Sequence, residues 1–174
     1  MSLPKKYTLI IVKNTVAGTP VFETGKEDST FEVVEKDLSV ENFKTGDYLI
    51  KVLYFSNDPY QRGFIQKRDP SVLTARSYSS PHVAGDVMGS LAIGEVVYSK
   101  NEKFPVGTKV WGSCSWAEYY FATEKNTFVP IDTSSGISLP DYYANFGMTT
   151  LTAHAGLFDV AELKEGATVV VSAA

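Results

Sequence analysis

The chain is predicted to be mainly β, a barrel or sandwich of short strands that hands over to an α/β element near its carboxyl end. Three observations predict this. Short β-branched and aromatic runs alternate with glycine-bearing turns over most of the length. After Pro140 apolar residues recur at helical spacing. Finally, Leu163-Lys164-Glu165-Gly166-Ala167-Thr168 leads into the apolar run Val169-Val170-Val171, which has the look of a strand buried on both faces of a parallel sheet.

Taken in order, residues 7–12 (Tyr-Thr-Leu-Ile-Ile-Val) have strand composition. Ala17-Gly18-Thr19-Pro20 is a turn before Val21-Phe22 and then residues 31–34, an opening meander. Gly46-Asp47 turns the chain into residues 48–55, the longest β-rich run and the expected central strand. Residues 58–81, with Pro59, Pro70 and Pro81, read as a long loop with one helical turn, and long loops in compact domains are often functional. β-pattern resumes at residues 90–98, with Gly94 as a bulge, and at 109–112 and 116–123. Residues 149–163 are the expected helix, with Leu151, Ala155 and Phe158 on one face and Thr149 or Thr150 as cap.

Composition narrows the function. With 44% hydrophobic and 21% charged residues, the 174-residue chain has enough apolar content for a well-packed core. Its net charge is −4 and its lysines form no stripe, which argues against binding nucleic acid. No apolar stretch approaches the roughly 20 residues needed to cross a bilayer, so no membrane role is expected. The lone Cys114 excludes an internal disulfide, no Asn-x-Ser/Thr acceptor occurs, and residues 1–6 carry no cleavage site; the expected location is cytoplasmic. Cys114, His82 and His154 stand apart rather than in ligand-spaced pairs, so no metal is expected and packing or surface roles are favoured for them.

Three stretches in this order resemble one family. Asn57-Asp58-Pro59-Tyr60-Gln61-Arg62-Gly63 is similar to an Asp-Pro-Tyr-Met-Arg-Gly segment, with Gln61 in the methionine position. Val106-Gly107-Thr108-Lys109-Val110-Trp111-Gly112, followed by Ala117-Glu118-Tyr119, is similar to two strands of the same proteins. Gly147-Met148-Thr149-Thr150-Leu151-Thr152-Ala153-His154 resembles Gly-Met-Pro-Gly-Leu-Thr-Ala-Tyr, with Thr149-Thr150 for Pro-Gly and His154 for Tyr. Together they resemble the zinc-independent medium-chain dehydrogenase/reductases, in particular the alkenal and leukotriene/prostaglandin reductase branch. The catalytic cysteine and Gly-His-Glu segment of the zinc-dependent relatives do not occur.

The resemblance implies a GroES-like β-barrel, substrate-binding domain over residues 1–145. Residues 146–174 would be the connecting helix and first strand of an NADP-binding Rossmann domain, whose glycine-rich loop would follow. It implies an active site in the cleft between the two domains, a small enal or enone substrate, and a homodimer paired through the second domain. It places Tyr60 as catalytic donor, Tyr60, Arg62 and Met88 at the substrate, and Asn57, Met148 and Thr152 at the cofactor.

The residues by themselves leave more open. Hydride delivery to the β-carbon of an enal builds negative charge on the carbonyl oxygen, which a tyrosine hydroxyl stabilises. Locally, however, Asn57-Asp58-Pro59 is a turn whose tyrosine covers the barrel end, and only the resemblance favours the catalytic role. Arg62 either holds a carbonyl or carboxylate with its forked donors or pairs with Asp58 to fix the loop, and loop fixing is favoured. Met148 and Thr152 begin a helix, which is also ordinary architecture. Gly85-Asp86-Val87-Met88-Gly89 reads as a turn into a strand, with Met88 at the cleft. Trp111, Trp116, Tyr119, Tyr120 and Phe121 alternate on strands and are expected mostly in the core, with an aromatic wall beside a nonpolar enal as the less favoured alternative. The competing functions are a quinone reductase of the same superfamily and a noncatalytic β-barrel interaction module.

Overall fold

In the computed structural model, residues 3–67 and 81–172 are described. The expected loop therefore continues, over residues 68–80, outside the described residues, as do Ala173 and Ala174. The chain divides into two compact units, Met1–Asp132 and Thr133–Ala174.

The first unit is built of seven strands. β1 (Lys6–Val12) and β2 (Phe31–Asp37) pair antiparallel with Lys6 opposite Asp37 and Val12 opposite Phe31. β3 (Tyr48–Phe55), β4 (Gly89–Ser99), β5 (Lys109–Ser115), β6 (Tyr119–Ala122) and β7 (Phe128–Pro130) form a five-stranded sheet in the order β6-β3-β4-β5-β7. β1 stitches the two sheets together. Ile10 N donates to Trp116 O (2.8 Å), Met88 N to Ile10 O (2.9 Å) and Glu118 N to Thr8 O (3.0 Å), with bridges at Leu9–Ala117 and Ile11–Val87. The free edge of β1 is thus consumed by the linkers at 87 and 117, which turns two sheets into a barrel and leaves few unpaired strand groups there.

The sequence expectations meet this architecture unevenly. β3 is interior, flanked by β6 and β4, while β4 holds the middle of the sheet. Val21-Phe22 is no strand: Val21 N donates to Thr30 Oγ1 (2.9 Å) and Thr30 N to Val21 O (2.9 Å), so a side chain replaces the ladder. Gly94 is not itself the bulge. The register shifts lie between Leu49 and Ile50 and between Val52 and Tyr54, so that Leu53 is the extra residue of β3 opposite Gly94 and Ile93. Gly94 is needed instead for close approach, since a Cβ there would fall 2.2 Å from Ile50 Cγ2 and 2.8 Å from Lys51 O. Residues 116–118 join β1, and Glu118 O also accepts from Val52 N (2.9 Å), so Glu118 links β1 to β3 ahead of β6.

Two apolar clusters fill the unit. The larger holds Tyr48, Ile50, Ala92, Val96, Val110, Cys114, Ala122 and Phe128, with the Tyr48 ring stacked on Phe104 at 4.7 Å. The smaller holds Val12, Phe31, Ile65 and Met88, with Ile10, Val16, Phe64 and Trp116 against it. After β3, a 3-10 turn (Pro59–Gln61) runs into the short helix α1 (Arg62–Ile65), which drops Ile65 into the smaller cluster. This is the expected single helical turn.

The second unit is helical. α2 (Leu139–Phe146) was not expected; Pro140 reads in sequence as a boundary but occupies the first turn, where its fixed φ suits a helix and its missing N–H costs nothing. Ser138 caps it, accepting from Asp141 N (3.3 Å) and donating to Asp141 Oδ2 (2.6 Å). α3 (Met148–His154) continues as a π-helical stretch, Ala155–Val160, with Ala161 N donating to Gly156 O five residues back at 3.0 Å. The cap residue is Gly147, not Thr149 or Thr150, and Thr150 Oγ1 instead donates to Ala144 O (2.5 Å). The helical stretch closes at Val160, short of the expected 163, where Glu162 takes φ 49° and Leu163 N donates to Leu157 O (2.9 Å). The run Val169–Val171, expected as a strand, carries no strand assignment and pairs with no strand among the described residues, and Val170 is 86% exposed. An apolar run becomes a strand only when a neighbour accepts its hydrogen bonds, and here none does.

Candidate functional site

The chain leaving β3 shapes the site. Ser56 Oγ donates to Asp58 Oδ2 (2.6 Å), and Gln61 Nε2 donates to Ser56 O (2.7 Å), so residues 56–61 fold back on themselves before α1. Arg62 Nη2 donates to Gly18 O (2.6 Å), tying this turn to the loop after β1. Arg62 does fix a loop, but through the Gly18 carbonyl rather than through Asp58, whose carboxylate already accepts from Ser56.

Between that turn and the smaller apolar cluster lies a cavity of about 330 Å³ lined by Pro20, Phe22, Phe31, Asn57, Asp58, Pro59, Gln61, Arg62, Ile65, Met88 and Trp116. Its floor is apolar: Met88 is buried, Phe31 lies 5.9 Å from the Trp116 ring, and Phe22 stacks on Phe31 at 6.0 Å. Trp116 Nε1 donates to Ser90 Oγ (2.9 Å), which holds the indole in place. The polar groups come from the 57–62 turn alone. An apolar, aromatic-lined cavity with its polar groups drawn from one turn suits a small apolar molecule carrying an oxygen.

Of the six expected site residues, the cavity brings together Asn57, Arg62 and Met88. Tyr60 lies in the same 3-10 turn, 37% exposed, with its ring edge-to-face on Phe64 at 5.6 Å, while its neighbours Pro59 and Gln61 form the wall. Met148 and Thr152 belong to the second unit; Met148 is 41% exposed and Thr152 Oγ1 donates to Met148 O (2.7 Å). Of the other lining residues, Trp116 and Gln61 bear most on the chemistry. Trp116 is half-buried, packing on the smaller cluster and lining the cavity at once, and Gln61 is buried with its Oε1 lacking a donor. The signal for Gln61 was present, a polar residue in a methionine position; for Trp116 the aromatic-wall alternative was open, and strand alternation by itself favoured the core.

The other reactive groups stand outside the cavity. Cys114 is buried in the larger cluster, where desolvation pushes its thiol up to about 12. His82 faces Asp86 at 3.6 Å and His154 packs on Phe158. Among the described residues, no three His, Cys, Asp or Glu side chains gather where they could hold a metal ion. No helix among them is long and apolar enough to cross a membrane.

Residues 15–130 match the family model described as the N-terminal domain of oxidoreductase. The chain is 31% identical over 166 residues to the 2-alkenal reductase (NADP(+)-dependent) of Nicotiana tabacum, covering 95% of this chain and 45% of that protein. It is 33% identical over 148 residues to prostaglandin reductase 1 of Bos taurus, covering 84% and 40%. Among solved structures, CurA from Vibrio vulnificus in complex with NADPH superposes with a TM-score of 0.70 at 26% identity, covering 91% of this chain and 42% of that one. The chain thus spans less than half the length of these relatives. A GroES-like barrel matched over residues 15–130, with the three motifs in order and kinship to alkenal and prostaglandin reductases, makes the chain the amino-terminal part of a zinc-independent medium-chain dehydrogenase/reductase of that branch.

Proposed function

We propose that this chain forms the substrate-side wall of an NADPH-dependent enzyme that reduces the carbon–carbon double bond of α,β-unsaturated aldehydes and ketones without zinc. The observation that carries the reading is the cavity, apolar and aromatic on its floor and polar only along the 57–62 turn. In this reading residues 1–145 are the substrate-binding domain and residues 146–174 lead into a cofactor-binding domain. The full-length protein is a cytoplasmic homodimer.

NADP fits the groups this chain offers. Asn57 presents an exposed amide at the cavity, and in the second unit Met148 and Thr152 are exposed, with the Thr152 hydroxyl donating to the Met148 backbone carbonyl. Each of the three is taken, on the family motif it belongs to, as a residue that would contact the cofactor. When bound, the reduced cofactor supplies a hydride. Met88, Phe31 and Trp116 hold the enal flat and exclude water, which strengthens every polar contact made to its carbonyl. The Tyr60 hydroxyl donates a hydrogen bond to the carbonyl oxygen as charge gathers there, and Arg62 orients the oxygen end of the substrate.

The test is the full-length protein with NADPH and a short 2-alkenal. Loss of nicotinamide absorbance is expected, faster than with a quinone of similar size. Tyr60→Phe should lower kcat about tenfold while KM changes little, the pattern of a contact made mainly in the transition state. No absorbance loss across a panel of enals rejects the reading; quinone turnover in its place favours the quinone reductase, and inertness toward both with capture of a partner protein favours the interaction module.

A further inference from the structure

β4 buries Ser90, Ala92, Ile93, Gly94 and Val96, and of these only Ser90 carries a polar side chain. A buried hydroxyl must find partners, and Ser90, 4% exposed, finds two. Its Oγ donates to Leu91 O at 3.0 Å, which spends its one hydrogen and leaves a lone pair to accept from Trp116 Nε1 at 2.9 Å. The indole N–H is a donor only, so the direction of this bond is fixed at both ends.

The backbone of Trp116 is pinned separately: its N donates to Met88 O at 2.7 Å and its O accepts from Ile10 N at 2.8 Å. Those bonds place the Cα and leave the ring free to turn about its side-chain bonds. The side chain packs on the smaller cluster, whose Phe31, Ile65 and Met88 line the cavity together with Trp116. That packing constrains the ring only in part. Phe31 meets it tilted by 40° at 5.9 Å and Phe55 tilted by 52° at 6.3 Å, so neither ring lies flat against it. The bond to Ser90 therefore settles which way the indole is turned.

Resting on the reductase reading, we propose that Ser90 is a positioning residue for the substrate: by fixing the Trp116 indole it sets the affinity of the cavity for the apolar part of an enal or enone. Ser90 does not line the cavity and acts only through the ring. Without its oxygen the indole N–H loses its acceptor, and the ring turns out of register with the floor that Met88 and Phe31 provide.

The test uses the full-length protein with NADP present and follows the indole N–H resonance of Trp116, assigned by its loss in Trp116→Phe. Cyclohexanone, which has no double bond beside its carbonyl to reduce, should shift this resonance in the wild type. Ser90→Ala should speed exchange of this hydrogen about tenfold, weaken cyclohexanone binding and raise KM for a short 2-alkenal about fivefold each, and leave kcat within about twofold. In a Trp116→Phe background the same substitution should change ketone affinity by less than about twofold, because the N–H through which Ser90 acts is gone. A resonance that the ketone leaves unmoved overturns the proposal even if no variant folds. So does a Ser90→Ala variant that keeps the hydrogen as slow to exchange or the affinity unchanged, or an affinity loss that persists in full on Trp116→Phe. Should Ser90→Ala fail to fold, Ser90→Cys, of similar size but with a poor acceptor, is read for the same outcomes. The two readings fail separately. Ketone binding that weakens in Ser90→Ala without turnover of any enal sinks the reductase and leaves the positioning role, whereas enal turnover with a KM that Ser90→Ala does not move sinks the positioning role and leaves the reductase.

Discussion

Gly94 shows how one missing side chain sets the geometry of the barrel. A Cβ there would overlap Ile50 Cγ2 at 2.2 Å and press on Lys51 O at 2.8 Å, three and two residues before Leu53, the extra residue of β3. Ile50 is wholly buried in the larger cluster and cannot swing away. Gly94→Ala is therefore expected to cost about 3 kcal/mol through overpacking, read as a lower urea midpoint with an unchanged slope. Sequence pattern marked Gly94 as exceptional but assigned it the bulge, because a glycine in a strand signals either a bulge or a close approach and only the register separates the two. The site residues divide in the same way. Asn57, Arg62 and Met88 were legible from motif and position, whereas the unmatched Oε1 of Gln61 depends on which end of its amide meets Ser56 O, a fact of three-dimensional contact.

At the scale of elements, the helices of the second unit hold the clearest lesson. α2 went unread because Pro140 breaks a helix in its interior yet favours one in its first turn, and the deciding partner is Ser138 two residues before. Ser138→Ala removes both the acceptor for Asp141 N and the donor to Asp141 Oδ2. It should cost about 1 kcal/mol in the second unit, seen as faster amide exchange over residues 139–146 with little change in the first unit. The expected helix over 149–163 exists from Met148, but its second half widens to π geometry around Gly156, and hydrophobic spacing alone does not distinguish 3.6 residues per turn from the wider form. Val169–Val171 has the composition of a buried strand and no ladder partner among the described residues.

For the whole molecule, the larger core ties stability to pH. Burial pushes the Cys114 thiol from 9.0 to about 12 and the Tyr48 hydroxyl from 10.0 to about 12, and it raises Tyr120 as well. Each group stays protonated in the folded chain at a pH where it has ionised in the unfolded one. Between those values the unfolded state binds fewer protons, so stability falls as pH rises. The contribution is complete below about pH 9 and is lost progressively as the pH climbs toward about 12. Urea unfolding should show a lower midpoint at about pH 10.5 than at about pH 8, and Cys114→Ala should blunt the earliest part of the fall.

By itself the sequence determined the family, the mainly β class, the β3, β4 and β5 core and the turn after β3 that lines the candidate cavity, because these follow from local periodicity, turn chemistry and ordered motifs. Tertiary structure alone decided the strand order, the joining of β1 to residues 87 and 117, the stationing of Trp116 at a cavity wall, and the burial of an acceptor on Gln61 with nothing to receive. The reason is physical. A residue's backbone preference is settled by its neighbours in the chain, but which hydrogen bonds are matched and which ring faces a void depend on segments far away in sequence meeting in space.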